Sequence, residues 1–156
     1  MSTNMIGIEK DTAQELAVKL NVLLANYQIY YQNLRGFHWN VTGPSFFELH
    51  AKFEELYTGA NEAIDEIAER ILTLGQTPLH TFNDYIEVAQ IKVAKNISDG
   101  KETVKATIEN LSQVIEIERE ILNLANEADD EGTATLMSDY IKEQEKTVWM
   151  LNAYVK

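Results

Sequence analysis

Residues 44–75, PSFFELHAKFEELYTGANEAIDEIAERILTLG, carry the pattern that decides the fold. Apolar side chains fall at Leu49, Phe53, Leu56, Ala60, Ile64, Ile67, Ile71 and Leu74. Steps of three and four place them on one face of an α-helix and scatter them on a strand. Pro44, Ser45 and Glu48 open the segment and Gly75 closes it, the residue types that start and stop helices. A second stripe runs beside the first: His50, Glu54, Tyr57, Asn61, Asp65 and Glu69. The helix thus has an apolar face for its own bundle and a polar face rich in metal-ligand types, which suits either solvent or a neighbouring subunit.

The same period extends on both sides. Leu16, Leu20, Leu23, Tyr27, Tyr30 and Leu34 predict a helix before it, with Thr12 and Glu15 placed as a capping box. Val104, Ile108, Leu111, Ile115 and Leu122 predict a third long helix after Ser98-Asp99-Gly100. Met137, Tyr140, Val148, Leu151 and Val155 predict a fourth after Gly132, with Trp149 packing that helix. The connection between the second and third is too long for a tight turn, and its apolar stretch Phe82–Ala89 reads as a short extra helix in a crossover. The expected architecture is all-α: a four-helix bundle with one small helix in the crossover, residues 1–156 forming a single domain.

Composition bounds the rest. With 156 residues and 45% hydrophobic content the chain can bury one sizeable core. It has no cysteine, which removes disulfides and thiolate metal sites. No apolar run reaches the roughly 20 residues that span a bilayer, and MSTNMIGIEKD lacks a signal-peptide core, so a cytoplasmic protein with no membrane contact is expected. A formal charge of −12 repels nucleic acid and favours cations, although it also serves plain solubility.

His38, His50, Asp65 and Glu69 form a mixed nitrogen and oxygen donor set that suits a divalent first-row metal, iron(II) above all if the chemistry is redox. His38, near the end of the first helix, and His50, in the first turns of the second, can meet across the short link between them. His50 and Asp65 cannot: fifteen residues of helix separate them by about 22 Å. If the helix meets its own copy antiparallel about a two-fold axis near Tyr57 and Thr58, His50 of one subunit faces Asp65 of the other and two equivalent sites form. His80 follows Pro78-Leu79 in the crossover and reads as a loop residue.

RGFHWNVTGPSFFELHAKFEELY followed by DEIAER resembles the ferroxidase signature of the Dps proteins, the mini-ferritins of the ferritin-like superfamily, at His38, Trp39, His50, Asp65 and Glu69. The resemblance covers nearly the whole chain. It implies a hollow shell of twelve subunits with intersubunit di-iron centres, each made by two histidines of one subunit and the Asp and Glu of its two-fold partner. The implied activity is oxidation of iron(II), with hydrogen peroxide the usual oxidant, and storage of ferric iron, which protects against oxidative damage. Typical ferritins build their centre inside one bundle with Glu-x-x-His, and this chain contains no such motif.

Where the family commonly has Asp four residues after the second histidine, this chain has Glu54, one methylene longer and able to ligate directly. Trp39 either intercepts radical equivalents beside the metal or packs at an interface, and Arg70 either orients the Glu69 carboxylate or forms an ordinary ion pair. Acidic residues line the family's three-fold pores, and Glu127, Asp129, Asp130 and Glu131 supply them here, or else form a solvated turn. Many DNA-binding members carry a Lys-rich tail, whereas only Lys10 precedes the first helix and only Lys156 closes the chain. Weak or no DNA binding is therefore expected. A DNA-compacting protein and a purely structural bundle, with vestigial or zinc-filled ligands, are the alternatives.

Overall fold

In a computed structural model that describes residues 2–156, the helical periods become five helices: α1 (Lys10–Asn40), α2 (Phe46–Thr73), α3 (Phe82–Val88), α4 (Gly100–Glu127) and α5 (Glu131–Val155). Among the described residues there are no strands, only isolated bridges at Thr3–Glu9 and Thr42–Asp99. α1 packs along α2 and α4 along α5, α1 against α4 joins the two pairs, and short α3 lies on α1. None of the helices is long and apolar enough to cross a membrane.

The α1 stripe is buried throughout, from Leu16 to Leu34, and meets Phe53, Ile67 and Ile71 of α2 and Val104, Leu111 and Ile121 of α4. Each such aliphatic side chain withdrawn from water contributes about 1.5–3 kcal/mol. The inward face of α4 differs from the expected one. It runs Val104, Thr107, Leu111, Val114, Glu118, Ile121 and Ala125, while Ile115 and Leu122 are only half-buried. A buried acid, Glu118, interrupts the apolar pattern, and apolar residues alone point to the neighbouring stripe. Trp149 also departs from expectation. It stands largely exposed on α5 instead of packing.

The helix ends explain the boundaries. α1 begins one turn before the expected capping box: Glu9 accepts from the backbone N–H of Asp11 and Thr12 and from the Thr12 hydroxyl, so Thr12 already lies inside the helix. α2 ends with Gly75 at φ 89°, its N–H bonded to Leu72 O and that of Gln76 to Ile71 O, the paired bonds of a Schellman cap. α4 ends the same way, with Asp129 at φ 56° in the position Gly75 holds in α2.

Three asparagines of α1 fasten the crossover. Asn21 bonds Thr77 O and Leu79 N–H, Asn26 accepts from the N–H groups of Gln90 and Ile91, and Asn33 bonds Lys92 O and Ala94 N–H. Where the crossover lies against α1, backbone groups turned away from water need partners, and the carboxamides of buried Asn26 and Asn33 supply both donor and acceptor. Thr42 N–H donates to Ser98 O and ties the α1–α2 link to the base of α4.

Candidate metal centre

The link 41–45 is short because Val41 is buried beneath it and Gly43, at φ 109°, takes a backbone turn that side chains resist. It folds α2 back along α1 and sets the last turn of one against the first turns of the other. His38 and His50 consequently stack, ring centroids 3.8 Å apart and planes 11° from parallel. Phe46 covers the His50 ring at 5.0 Å and Tyr57 meets His38 edge-on at 5.3 Å.

The two imidazoles hold each other through the main chain. His38 Nδ1 donates to His50 O at 2.7 Å, and His50 Nδ1 donates to His38 O at 2.7 Å. A carbonyl only accepts, so each Nδ1 carries a hydrogen, and in the neutral ring Nε2 is left with its lone pair. Metal-ligating histidines are commonly oriented in this way, the second nitrogen anchored so that the first is aimed and made more basic. Glu54 Oε1 lies 3.8 Å from His38 Nε2, too far for a hydrogen bond. Two electron-pair donors facing one another with no hydrogen between them suit a cation.

Asp65 and Glu69 are not brought to this cluster. Both stand exposed further along α2, and among the described residues neither side chain makes a hydrogen bond or ion pair. No three His, Asp or Glu residues among the described ones lie close enough to hold a metal by themselves. Trp39 is exposed, and the Arg35 guanidinium sits 4.9 Å over its ring and 5.3 Å over that of Tyr31. Tyr31, Arg35 and Trp39 share a helix face at intervals of four, a spacing that apolar periodicity does not single out. His80 lies exposed in the crossover, bonded to Pro78 O.

A Ferritin-like domain family model matches residues 17–156. The crystal structure of a Dps protein from Vibrio cholerae O1, described as a member of a broad superfamily of ferritin-like diiron-carboxylate proteins, has TM-score 0.98 and 54% identity over 100% of this chain and 98% of that one. The DNA protection during starvation protein of Porphyromonas gingivalis is 42% identical over 95% of this chain and 93% of its own. A Dps protein structure from Bacillus brevis has TM-score 0.91 and 40% identity, covering 96% of this chain and 100% of that one. This chain belongs to the Dps family.

The α4–α5 junction of this Dps chain differs from a simple acidic turn. Glu127, Asp129 and Glu131 are exposed, but Asp130 is buried. Asp130 caps α5 through Thr133 N–H, accepts the Thr133 hydroxyl, and pairs with Arg70 at 2.7 Å. Arg70 also donates to the Thr133 hydroxyl, so it binds the end of α2 to the start of α5 and makes no bond to the Glu69 carboxylate. Gly132 permits that approach, because a Cβ there would stand 2.7–2.9 Å from the guanidinium. Asp130 is thereby withdrawn from the acids free to line a pore.

Proposed function

We propose that this Dps chain is a ferroxidase that takes iron(II) at sites shared across a two-fold axis, oxidises it with hydrogen peroxide and stores the ferric product inside a twelve-subunit shell. The observation that carries the proposal is the reciprocal bonding of His38 and His50, which fixes two imidazoles and frees their Nε2 atoms. Iron is the substrate here. His38 and His50 supply neutral nitrogen donors, Glu54 a nearby carboxylate, and the partner subunit's Asp65 and the partner subunit's Glu69 the charge that stabilises iron(III) and can bridge two ions. Each peroxide accepts two electrons from two iron(II) ions and leaves as two hydroxides. Paired oxidation therefore avoids release of a one-electron oxygen radical, and Trp39 stands ready to reduce any that escapes.

The test is anaerobic stopped-flow mixing of iron(II) with the protein, followed by peroxide. Oxidation should outpace that of free iron(II), consume one peroxide per two irons, and come from a particle with a native mass of twelve chains. A rate equal to the protein-free control would end the proposal.

Glu127, Asp129 and Glu131 fit a cation pore at the α4–α5 junction. Neutralising Asp129 and Glu131 should slow iron uptake at low ionic strength and have less effect at high salt, where screening shortens the field to a few ångströms. Equal rates at both salt concentrations would point to another route.

Some relatives are named for DNA protection. With a formal charge of −12, this chain offers few cations to displace counterions from phosphate. Protection by removing iron and peroxide fits it better than protection by contact. Tight, salt-sensitive retardation of duplex DNA without added metal would reverse that preference.

A further inference from the structure

Where α1, α4 and α5 meet lies a polar cluster that the proposed chemistry does not use. Glu118 of α4 is completely buried. Its Oε2 accepts the Tyr27 hydroxyl at 2.8 Å, and its Oε1 has no partner. Tyr27 has a single phenolic hydrogen and spends it on Glu118, so its oxygen must accept, and it does so from Gln144 Nε2. That contact fixes which way the Gln144 amide faces. The remaining atom, Gln144 Oε1, is buried and also without a partner. Two acceptors are therefore left bare in one cluster, and an ionised carboxylate has no hydrogen to give either of them.

Tyr27, Gln144 and Arg119 favour an ionised Glu118, but its burial outweighs them. From α1 it is faced by Tyr27 and Tyr30, and from α5 by Gln144 and Tyr140. Glu143 and Lys146 of α5 and Lys52 of α2 line the open cavity beside Tyr27, Tyr30 and Gln144. Glu66 of α2 approaches only as far as the Tyr140 hydroxyl. The cation on its own helix, Arg119, pairs with Glu145 at the exposed surface. Phenols and one amide surround the carboxyl, no cation bonds it, and a charge buried in such a place is expensive.

We propose that Glu118 is carried as the neutral acid, its hydrogen given to Gln144 Oε1, so that α1, α4 and α5 are clasped by a proton and the joint loosens when that proton leaves. One hydrogen on Oε1 turns a bare acceptor into a donor and provides for the other bare acceptor as well. Burial also pushes the Glu118 carboxyl up to about 8 and the Tyr27 hydroxyl well above its ordinary value. Because the folded-state value exceeds the unfolded one, the stabilisation is fully present below the ordinary carboxylate range and is lost as pH rises through about 8.

The experiment compares melting temperatures of the assembled wild-type protein and Glu118→Gln from pH 6 to 9. The amide of the variant donates as the neutral acid does but cannot ionise. The wild type should lose on the order of 5 °C relative to the variant across this range. Parallel curves would overturn the proposal. Should the variant fail to assemble, infrared spectra of wild-type protein with isotope-labelled glutamate decide instead. A carboxylic-acid carbonyl band at pH 7 that disappears as pH passes about 8 supports the neutral acid. A spectrum of carboxylates alone overturns it and leaves a bridging water as the donor.

Discussion

The two ends of α2 handle their ligand-type side chains in opposite ways. At the start, His50 is stacked, covered by Phe46 and bonded to the main chain of α1, and it holds His38 in return. Towards the end, Asp65 and Glu69 project from the surface with no partner among the described residues, although the backbone beneath them is secured by Arg70 and Asp130. In the proposed site, one chain thus prepares the two nitrogen donors and presents the two carboxylates outward. Such a division makes sense if the oxygen half is completed on another molecule. Organising neutral imidazoles inside the fold costs little, whereas carboxylates held together without a cation would repel one another.

The largest effects should come from breaking either half. His50→Ala and Asp65→Ala should each lower the rate of iron(II) oxidation at least about 100-fold, since even partners of metal ligands matter by 10–100-fold. They should differ in stability. His50→Ala removes the bond to the His38 carbonyl and the stack against the His38 ring and should cost about 1–2 kcal/mol, while Asp65→Ala should leave the melting temperature unchanged. Equal losses of stability would erase the contrast between the two ends.

A smaller effect isolates the backbone beneath the carboxylates. Arg70→Met leaves the buried Asp130 unpaired and should cost roughly 3 kcal/mol, seen as a shift of the denaturation midpoint. Because α2 and α5 then part near Glu69, iron oxidation should fall while the reciprocal histidine bonds persist. If stability is unaffected, the carboxylate end is not secured by this pair.

The smallest effect concerns the two matching helix ends. Gly75 and Asp129 occupy equivalent left-handed cap positions, one without a side chain and one with. Asp129→Gly should stabilise the protein by up to about 1 kcal/mol, because a side chain in that region is resisted. A loss of stability would mean that the Asp129 carboxylate contributes more than its backbone strain costs.

Much of this was legible in the sequence, and the exceptions share a cause. The four long helices, the short crossover helix and the meeting of His38 with His50 follow from apolar spacing and a short link. Glu118 escaped because an acid in an inward row interrupts the pattern that reveals the row. Asp130 looked like one acid among four because sequence cannot show that Arg70, sixty residues earlier, turns inward to meet it. The Glu9 cap is not a residue type usually sought at that position. The reciprocal carbonyl bonds involve main-chain atoms that every residue has. Polar burial and main-chain partners leave little periodic trace, whereas apolar burial leaves a strong one.

The shared site is tested most directly by complementation. One variant carries His38→Ala and His50→Ala, and the other Asp65→Ala and Glu69→Ala, so each assembles shells in which every site lacks half its ligands. Unfolded together and reassembled, about half of the two-fold pairs are mixed, and each mixed pair contains one site with all four native ligands. Co-assembled shells, shown by mass to contain both variants, should recover about a quarter of the wild-type oxidation rate. A site contained within one chain could not be restored in this way, and co-assembled shells no faster than the separate variants would contradict the account.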